Sequence, residues 1–582
     1  NTTLTSAGGT DGDGSVSLVG TASTINADAA ANNRTLTIDA GTGSVTFGGD
    51  IGGSEALSNL DVSGGPVLLN GDVSIGNGGP ILLTATGGTS DVIIAANKRV
   101  TSTGGNGVIT FNAGRHVQLG VGAEVITTSG ATATAGTFGT GTGTVTFNAG
   151  QAALTVGNIT LGGDSVVQSD TGVIGLNANN TSGGTITMAD KVTTNPARVL
   201  SSSGAVTLSA RTDVNLGVIN TGSTVGVTAT NGAITDNTTG EAANLVGTTA
   251  TLSAATGIGG SAAGADIDTT ITTLVATNST SGDIFVQETN GLVIGGTGVS
   301  TLGGNGNINI DVDAGTLTVS AVVTAHGSGD VTLNVDAGSL TQDATRTISS
   351  TSGDIVLTAD SVVQNANITT GTVGTITLAA DNAGITLAQN VDAGTGDVRI
   401  FTTANVNQTG GAITANSLGV RAASGINLNS TTNDANTVAM LNSTSGSVTY
   451  QDSDGFAIGT VTALGAFTPD VNGISNPTRN VTLNSGGAVT QTQPIMASGL
   501  ELLGAGPYTL TNMSNDVATI AATGPTGVSY TDSNALAVGV VGGTTGMTVG
   551  GNILLTTLGG GALNINQPVT TTANGNVTLN NA

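Results

Sequence analysis

The sequence predicts an all-β fold: a parallel β-helix, or β-solenoid, with coils of about 20–24 residues and almost no α-helix. Three observations predict it. A short phrase recurs along the whole chain, each copy alternates apolar and polar residues, and the composition lacks the large side chains of an ordinary globular core.

The phrase is a glycine, any residue, a β-branched residue, any residue, then an apolar residue. It reads GSVTF at 43, GTVTF at 143, GTITM at 184, GAVTL at 204, GDVTL at 329, GDIVL at 353, GTITL at 374 and GDVRI at 396. Where it is most regular the leading glycines are Gly282, Gly306, Gly329, Gly353, Gly374 and Gly396, spaced 24, 23, 24, 21 and 22 residues apart. That period is too short for a propeller blade and fits one coil of a solenoid. Within a phrase, Val331 and Leu333 share one face and Thr332 takes the other. Period 2 marks a strand buried on one side. Val, Ile and Thr favour strands, and the flanking Gly, Asn and Asp favour turns. No segment carries a sustained 3.6-residue apolar stripe. Stacked at about 4.8 Å per coil, about 26 coils would make a rod of roughly 125 Å.

Aromatic residues are 2% of the 582, Trp and Cys are absent, and Gly numbers 93. Such a core must be thin layers of Val, Ile, Leu and Ala, with little room for rings and with glycine at corners that need positive φ. Hydrophobic residues still reach 37%, which argues against disorder. The reading is one continuous solenoid rod over 1–582. Residues 115–142 and 255–270 are expected as loops or widened coils. Residues 460–480, with Pro469 and Pro477, are expected as an outward loop. Six of nine prolines and all three tyrosines follow residue 440, which marks 440–582 as a C-terminal subregion.

Net charge is −26, with only Lys98 and Lys191 and nine arginines, so no basic footprint exists for nucleic acid or an anionic membrane. No apolar run is long enough for a transmembrane helix. The absence of cysteine excludes a disulfide framework and a thiolate zinc site.

One segment stands out: VSYTDSNALAVG at 528–539, which gathers Tyr530, Asp532, Ser533 and Asn534. It has relatives in VTYQDSDGFAIG at 448–459 and IFVQETNGLVIG at 284–295. Tyr530 matches Tyr450 and Val286, and Asp532 matches Asp452 and Glu288. A catalytic phenol could not be exchanged for valine. The reading is therefore structural: Tyr530 a bulky strand residue, Asp532 to Asn534 a corner, Leu536 to Val538 the next strand. AATGI at 254, AASGI at 422 and GAGPY at 504 precede the three copies, so the module extends upstream.

Segments of the form AASGI…SGSVTYQDSDGFAIGTV, together with TGSVTFGGDIGGSEALSNLDVSGG at 42–65, resemble the repeat region of filamentous haemagglutinin-like bacterial exoproteins. These are large adhesins, often exported by two-partner secretion. The resemblance is most specific over 254–539. It implies a right-handed parallel β-helix with an extracellular or cell-surface role. The family's secretion domain and its C-terminal barrel or anchor are not recognisable here, so the resemblance does not supply an export route.

Chemistry is sparse. His116 and His326 are the only histidines, and no nucleophile elbow or phosphate loop is present. No catalytic, cofactor-binding or metal residue is assigned. Calcium at acidic turns, TDGDGS at 10–15 or DSD at 452–454, is the one cofactor the sequence leaves open, although no calcium-loop spacing is sustained. Asn278, Asn442 and Asn480 head N-x-[ST] triplets. The expected function is a non-catalytic structural exoprotein: a cell-surface adhesin or extracellular fibre subunit. Its expected partners are other copies of itself, end to end, and host or matrix glycans or proteins. The alternative is a carbohydrate-active β-helix enzyme, a lyase or glycosidase, although eleven basic residues and no Trp make its groove hard to build.

Overall fold

A computed structural model describes residues 1–6, 14–20, 24–29 and 32–581. Most of TDGDGS at 10–15 lies outside the described residues. The chain is all-β, with no helix among the described residues and therefore none long and apolar enough to cross a membrane. Parallel strands stack as a β-solenoid of about 23 turns. An even division of the length gives about 26. Residues drawn out of the ladders into excursions account for the difference.

Two compact units divide at Gly304 and Asn305. In the first, three parallel ladders run side by side. One passes through Ile109–Ala113, Val145–Asn148, Ile174–Ala178 and Val206–Ala210. A second passes through Val117–Leu119, Ile159–Leu161 and Ile186–Met188. The third passes through Val73–Ile75, Arg99–Ser102, Glu124–Thr127 and Val166–Ser169. The second unit repeats the plan through Val331–Val335, Ile355–Ala359, Ile376–Ala380 and Asp397–Thr402.

Register stacks like on like. Leu333 pairs with Leu357, Leu357 with Leu378 and Leu378 with Ile400, and all four are buried. Between them Thr332, Val356 and Thr377 form the opposite column, as period 2 requires. The interior also accepts rings, contrary to the expectation of a core too narrow for them. Phe111 and Phe147 stack at 4.7 Å with planes 2° apart, and Tyr450, Tyr508 and Tyr530 are among the largest fully buried side chains. A ring that lies flat on the ring of the next turn needs no more width than one residue.

Among the leading glycines Gly282 has the expected positive φ, at +85°, but four others have a different cause. Gly329, Gly353, Gly374 and Gly396 are absent from the positive-φ set. A Cβ on each would lie 2.1, 2.2, 2.2 and 1.9 Å from the carbonyl oxygen of the leading glycine one turn earlier. Backbones simply pass too close for a side chain. The same carbonyls accept buried hydroxyls: Ser350 Oγ donates to Gly329 at 2.7 Å and Thr370 Oγ1 to Gly353 at 2.6 Å. In the first unit Thr127 Oγ1 donates to Gly107 at 2.6 Å and Thr221 Oγ1 to Gly204 at 2.6 Å. These turns therefore hang a hydroxyl on a glycine carbonyl of the turn before, at a net gain of about 1 kcal/mol per bond.

The excursions are shorter than the sequence suggests. Within 115–142, Val117–Leu119 and Glu124–Thr127 are ladder strands, and only 128–142 leaves the stack. Within 255–270, Ile258 bridges Ile234 and Ile284, and Ile267–Thr270 is a strand. Both segments are thus widened coils rather than plain loops, for one reason: alternating apolar residues sit between the glycines, and the ladder captures them. At 460–480, Thr460–Val461 pairs antiparallel with Val471–Asn472, and Ile474–Ser485 rejoins the ladder. Phe467 of this hairpin packs with Val461, Val471 and Ala439, over Gly419, whose Cβ would lie 2.7 Å from the ring.

Candidate functional site

The three module copies are the strongest site candidates in the sequence. In the last copy Val528–Asp532 is a strand, residues 533–535 turn, and Leu536–Val538 is the next strand. Alternation sends Val528, Tyr530 and Asp532 inward together. The corner therefore begins one residue later than expected, and the carboxylate is a core group, with Asp532 at 0% exposure.

A buried carboxylate must be fully hydrogen-bonded. Asp532 Oδ2 accepts the Tyr530 hydroxyl at 2.8 Å and the Val517 backbone N–H at 2.9 Å, and Oδ1 accepts the Asn534 N–H at 3.0 Å. The middle copy repeats this. Asp452 Oδ2 accepts Tyr450 at 2.5 Å and the Ala435 N–H at 3.2 Å, and Oδ1 accepts the Asp454 N–H at 3.2 Å. The Tyr450 ring meets Phe456 edge-on, 5.1 Å between centroids. In the first copy Glu288 Oε2 accepts Thr269 Oγ1 at 2.8 Å and the Ile271 N–H at 2.9 Å, and Oε1 accepts the Asn290 N–H at 3.0 Å. Burial is the first cause of a raised pKa at both aspartates: Asp452 rises to about 6 and Asp532 also rises. Burial and the adjacent carboxylate push the Tyr450 and Tyr530 phenols far above their ordinary range. A neutral phenol donating to a carboxylate already committed to backbone N–H groups is a structural joint. Tyr508 is likewise spent on structure, donating to Leu503 O at 2.7 Å and Leu483 O at 3.0 Å.

His116 sits beside the bidentate pair of Arg115 with Asp91, at 2.8 and 2.6 Å. Its Nδ1 accepts the Asn158 N–H at 3.0 Å, and burial lowers its pKa. It therefore ties turns together as a neutral ring. His326 is exposed in a turn of the other unit, closed by the Gly329 N–H on its carbonyl at 3.2 Å. Of the DSD stretch, Asp452 is in the core while Asp454 is exposed. The sequence did not single out Glu241, Asp266 and Asp268, whose carboxylate oxygens lie within 4.8 Å of one another beside the 259–266 excursion. Two triplet asparagines are closed to glycosylation. Asn278 is buried, donating to Ser281 O at 2.6 Å, and Asn442 is buried, donating to Ser445 O at 2.8 Å and Gly446 O at 3.0 Å.

No protein-family model, curated protein or solved structure matches this chain.

Proposed function

We propose that the chain is a non-catalytic structural exoprotein of the filamentous haemagglutinin-like kind, a cell-surface adhesin shaft or a subunit of an extracellular fibre. One observation carries this reading. The residues that could do chemistry in the repeated modules, Tyr450, Asp452, Tyr530 and Asp532, spend their polar atoms on the chain itself. A stack of turns held by backbone ladders needs no cofactor, and length comes from adding turns. Its partners in this reading are other copies, end to end, and glycans or proteins of a host or matrix.

Negative-stain electron microscopy of the purified chain, with labelling of intact producing cells, tests it. Elongated particles or filaments and surface label are expected. Compact particles confined to the cytoplasm would sink it. Release of new reducing ends from a polysaccharide panel would favour a carbohydrate-active enzyme instead.

A further inference from the structure

The excursion 128–142 is anchored more heavily than a plain connection needs. Asp170, fully buried, accepts the Ser129 N–H at 2.7 Å, Thr128 Oγ1 at 3.0 Å and the Gly141 N–H at 3.2 Å on one oxygen. Gln168, also fully buried, donates to Thr137 O at 2.7 Å and Thr134 O at 3.3 Å and accepts the Gly136 N–H at 2.7 Å. Arg99 reaches up from the ladder and donates to Ala133 O. The loop is thus fixed as a roof over the outward side of Val73–Ile75, Arg99–Ser102 and Glu124–Thr127.

Two open clefts remain beneath it, one on each side of the Arg99–Ala133 bridge. One, of about 260 Å³, is lined by Asp72, Ser74, Thr101 and Thr103. The other, of about 420 Å³, is lined by Asn97 and Glu124. Arg99 borders both, and its Nε donates to Glu124 Oε2 at 2.6 Å while Asp72 Oδ1 accepts its backbone N–H at 2.9 Å. Asp72, Arg99 and Glu124 therefore stand in one column on three successive turns.

We propose that this roofed double cleft is a binding site for a neutral oligosaccharide, with sugar residues on both sides of the Arg99–Ala133 bridge. The lining is mostly hydroxyl, amide, carboxylate and guanidinium, with Val73 and the methyl groups of the roof alanines as apolar wall. Fixed carboxylate and guanidinium groups beside hydroxyls match the paired donors and acceptors of vicinal sugar hydroxyls. The clefts hold two carboxylates against one guanidinium, in a chain of net charge −26, which repels an anionic ligand. Openness at both sides suits a chain passing through, and two weak subsites on one ligand add by effective concentration. This site rests on the adhesin reading and gives it a ligand class.

The test titrates the full chain with cellohexaose, maltohexaose and chitohexaose, and with oligogalacturonate as the anionic control, by calorimetry and by product analysis. At least one neutral hexasaccharide is expected to bind intact and oligogalacturonate is not. Thr103→Val and Asn97→Gly, on opposite sides of the bridge, should each weaken binding about tenfold with unchanged thermal unfolding, equivalent to about 1.4 kcal/mol; glycine is chosen because residue 97 has a φ of +57°. Arg99→Met should weaken it further. Absence of binding by all three neutral probes at millimolar concentration, or binding that neither Thr103→Val nor Asn97→Gly alters, would overturn the site. Cleavage of a bound probe would keep the site and overturn the non-catalytic function. Microscopy judges the shaft independently of either result.

Discussion

At Tyr530 the chain buries a phenol that donates to Asp532, and at the matching place in the first copy Val286 offers no donor while Glu288 is one methylene longer. Both carboxylates nevertheless reach the same kind of partner, a backbone N–H of a neighbouring turn: Val517 at 2.9 Å for Asp532 and Ile271 at 2.9 Å for Glu288. Both also cap the N–H two residues ahead, at Asn534 and Asn290. The hydroxyl that Tyr530 supplies comes in the first copy from Thr269. The pattern kept across the copies is therefore a count of donors to a carboxylate, and the residue that fills the volume is free to change. A catalytic pair would show the opposite, with the phenol fixed and its surroundings variable.

The sharpest way to break this comparison is Asp532→Ala. It leaves the Val517 N–H, the Asn534 N–H and the Tyr530 hydroxyl without their acceptor in or beside the core, at a cost of about 3 kcal/mol. Hydrogen exchange at the Val517 amide should accelerate accordingly, while amides of the other unit stay unchanged. Next, Asp532→Glu alone should overpack beside the ring and cost about 2 kcal/mol. Tyr530→Val with Asp532→Glu rebuilds the first copy's pair and should recover part of that loss in urea unfolding. A double variant no better than the single would show that the copies are not interchangeable.

Protonation gives a smaller effect with a definite sign. Asp452 has its folded pKa raised to about 6, above the ordinary 3.8, so the folded state holds more protons between those values. Its contribution to stability should fall as pH rises from about 4 to about 6 and stay level above that. Asp532, also raised, should act in the same direction. Asp452→Asn should flatten the pH dependence of exchange at the Ala435 amide, and an unchanged slope would contradict the assignment. The smallest expected effect is that of the matched hydroxyl deletions. Tyr530→Phe and Thr269→Val each remove one donor from a carboxylate that keeps its backbone bonds, for about 1 kcal/mol apiece in unfolding experiments.

Much of this was legible in the sequence for a specific reason. Val331 to Leu333 alternates because one side of each strand is core and the other is solvent, and that rule needs no knowledge of neighbours. Carried two residues further, the same rule places Asp452 and Asp532 inward with Tyr450 and Tyr530. The signal was present, and the usual preference of carboxylates for turns obscured it. The leading glycines were legible as positions, but their cause was not. Close approach of Gly353 to the Gly329 carbonyl is a contact across 24 residues, whereas positive φ is a local property. The roofed cleft left no trace at all. Gln168 and Asp170 meet the loop some 30 residues earlier in the chain, and nothing near either residue marks it as an anchor.

The glycine column has a consequence for how such a chain changes length. From Gly306 to Gly396 the steps between leading glycines vary from 21 to 24 residues, yet the carbonyl of each abuts the next. The column works like the spine of a bound book, where pages of unequal width are sewn at one edge. A segment cut from one leading glycine to the next carries a whole page. Its duplication or loss leaves the pages on either side facing each other at the sewn edge, whatever the width of the one exchanged. Turn number is then the trait that recombination can alter at least structural cost, and the unequal outer margins are where novelty collects.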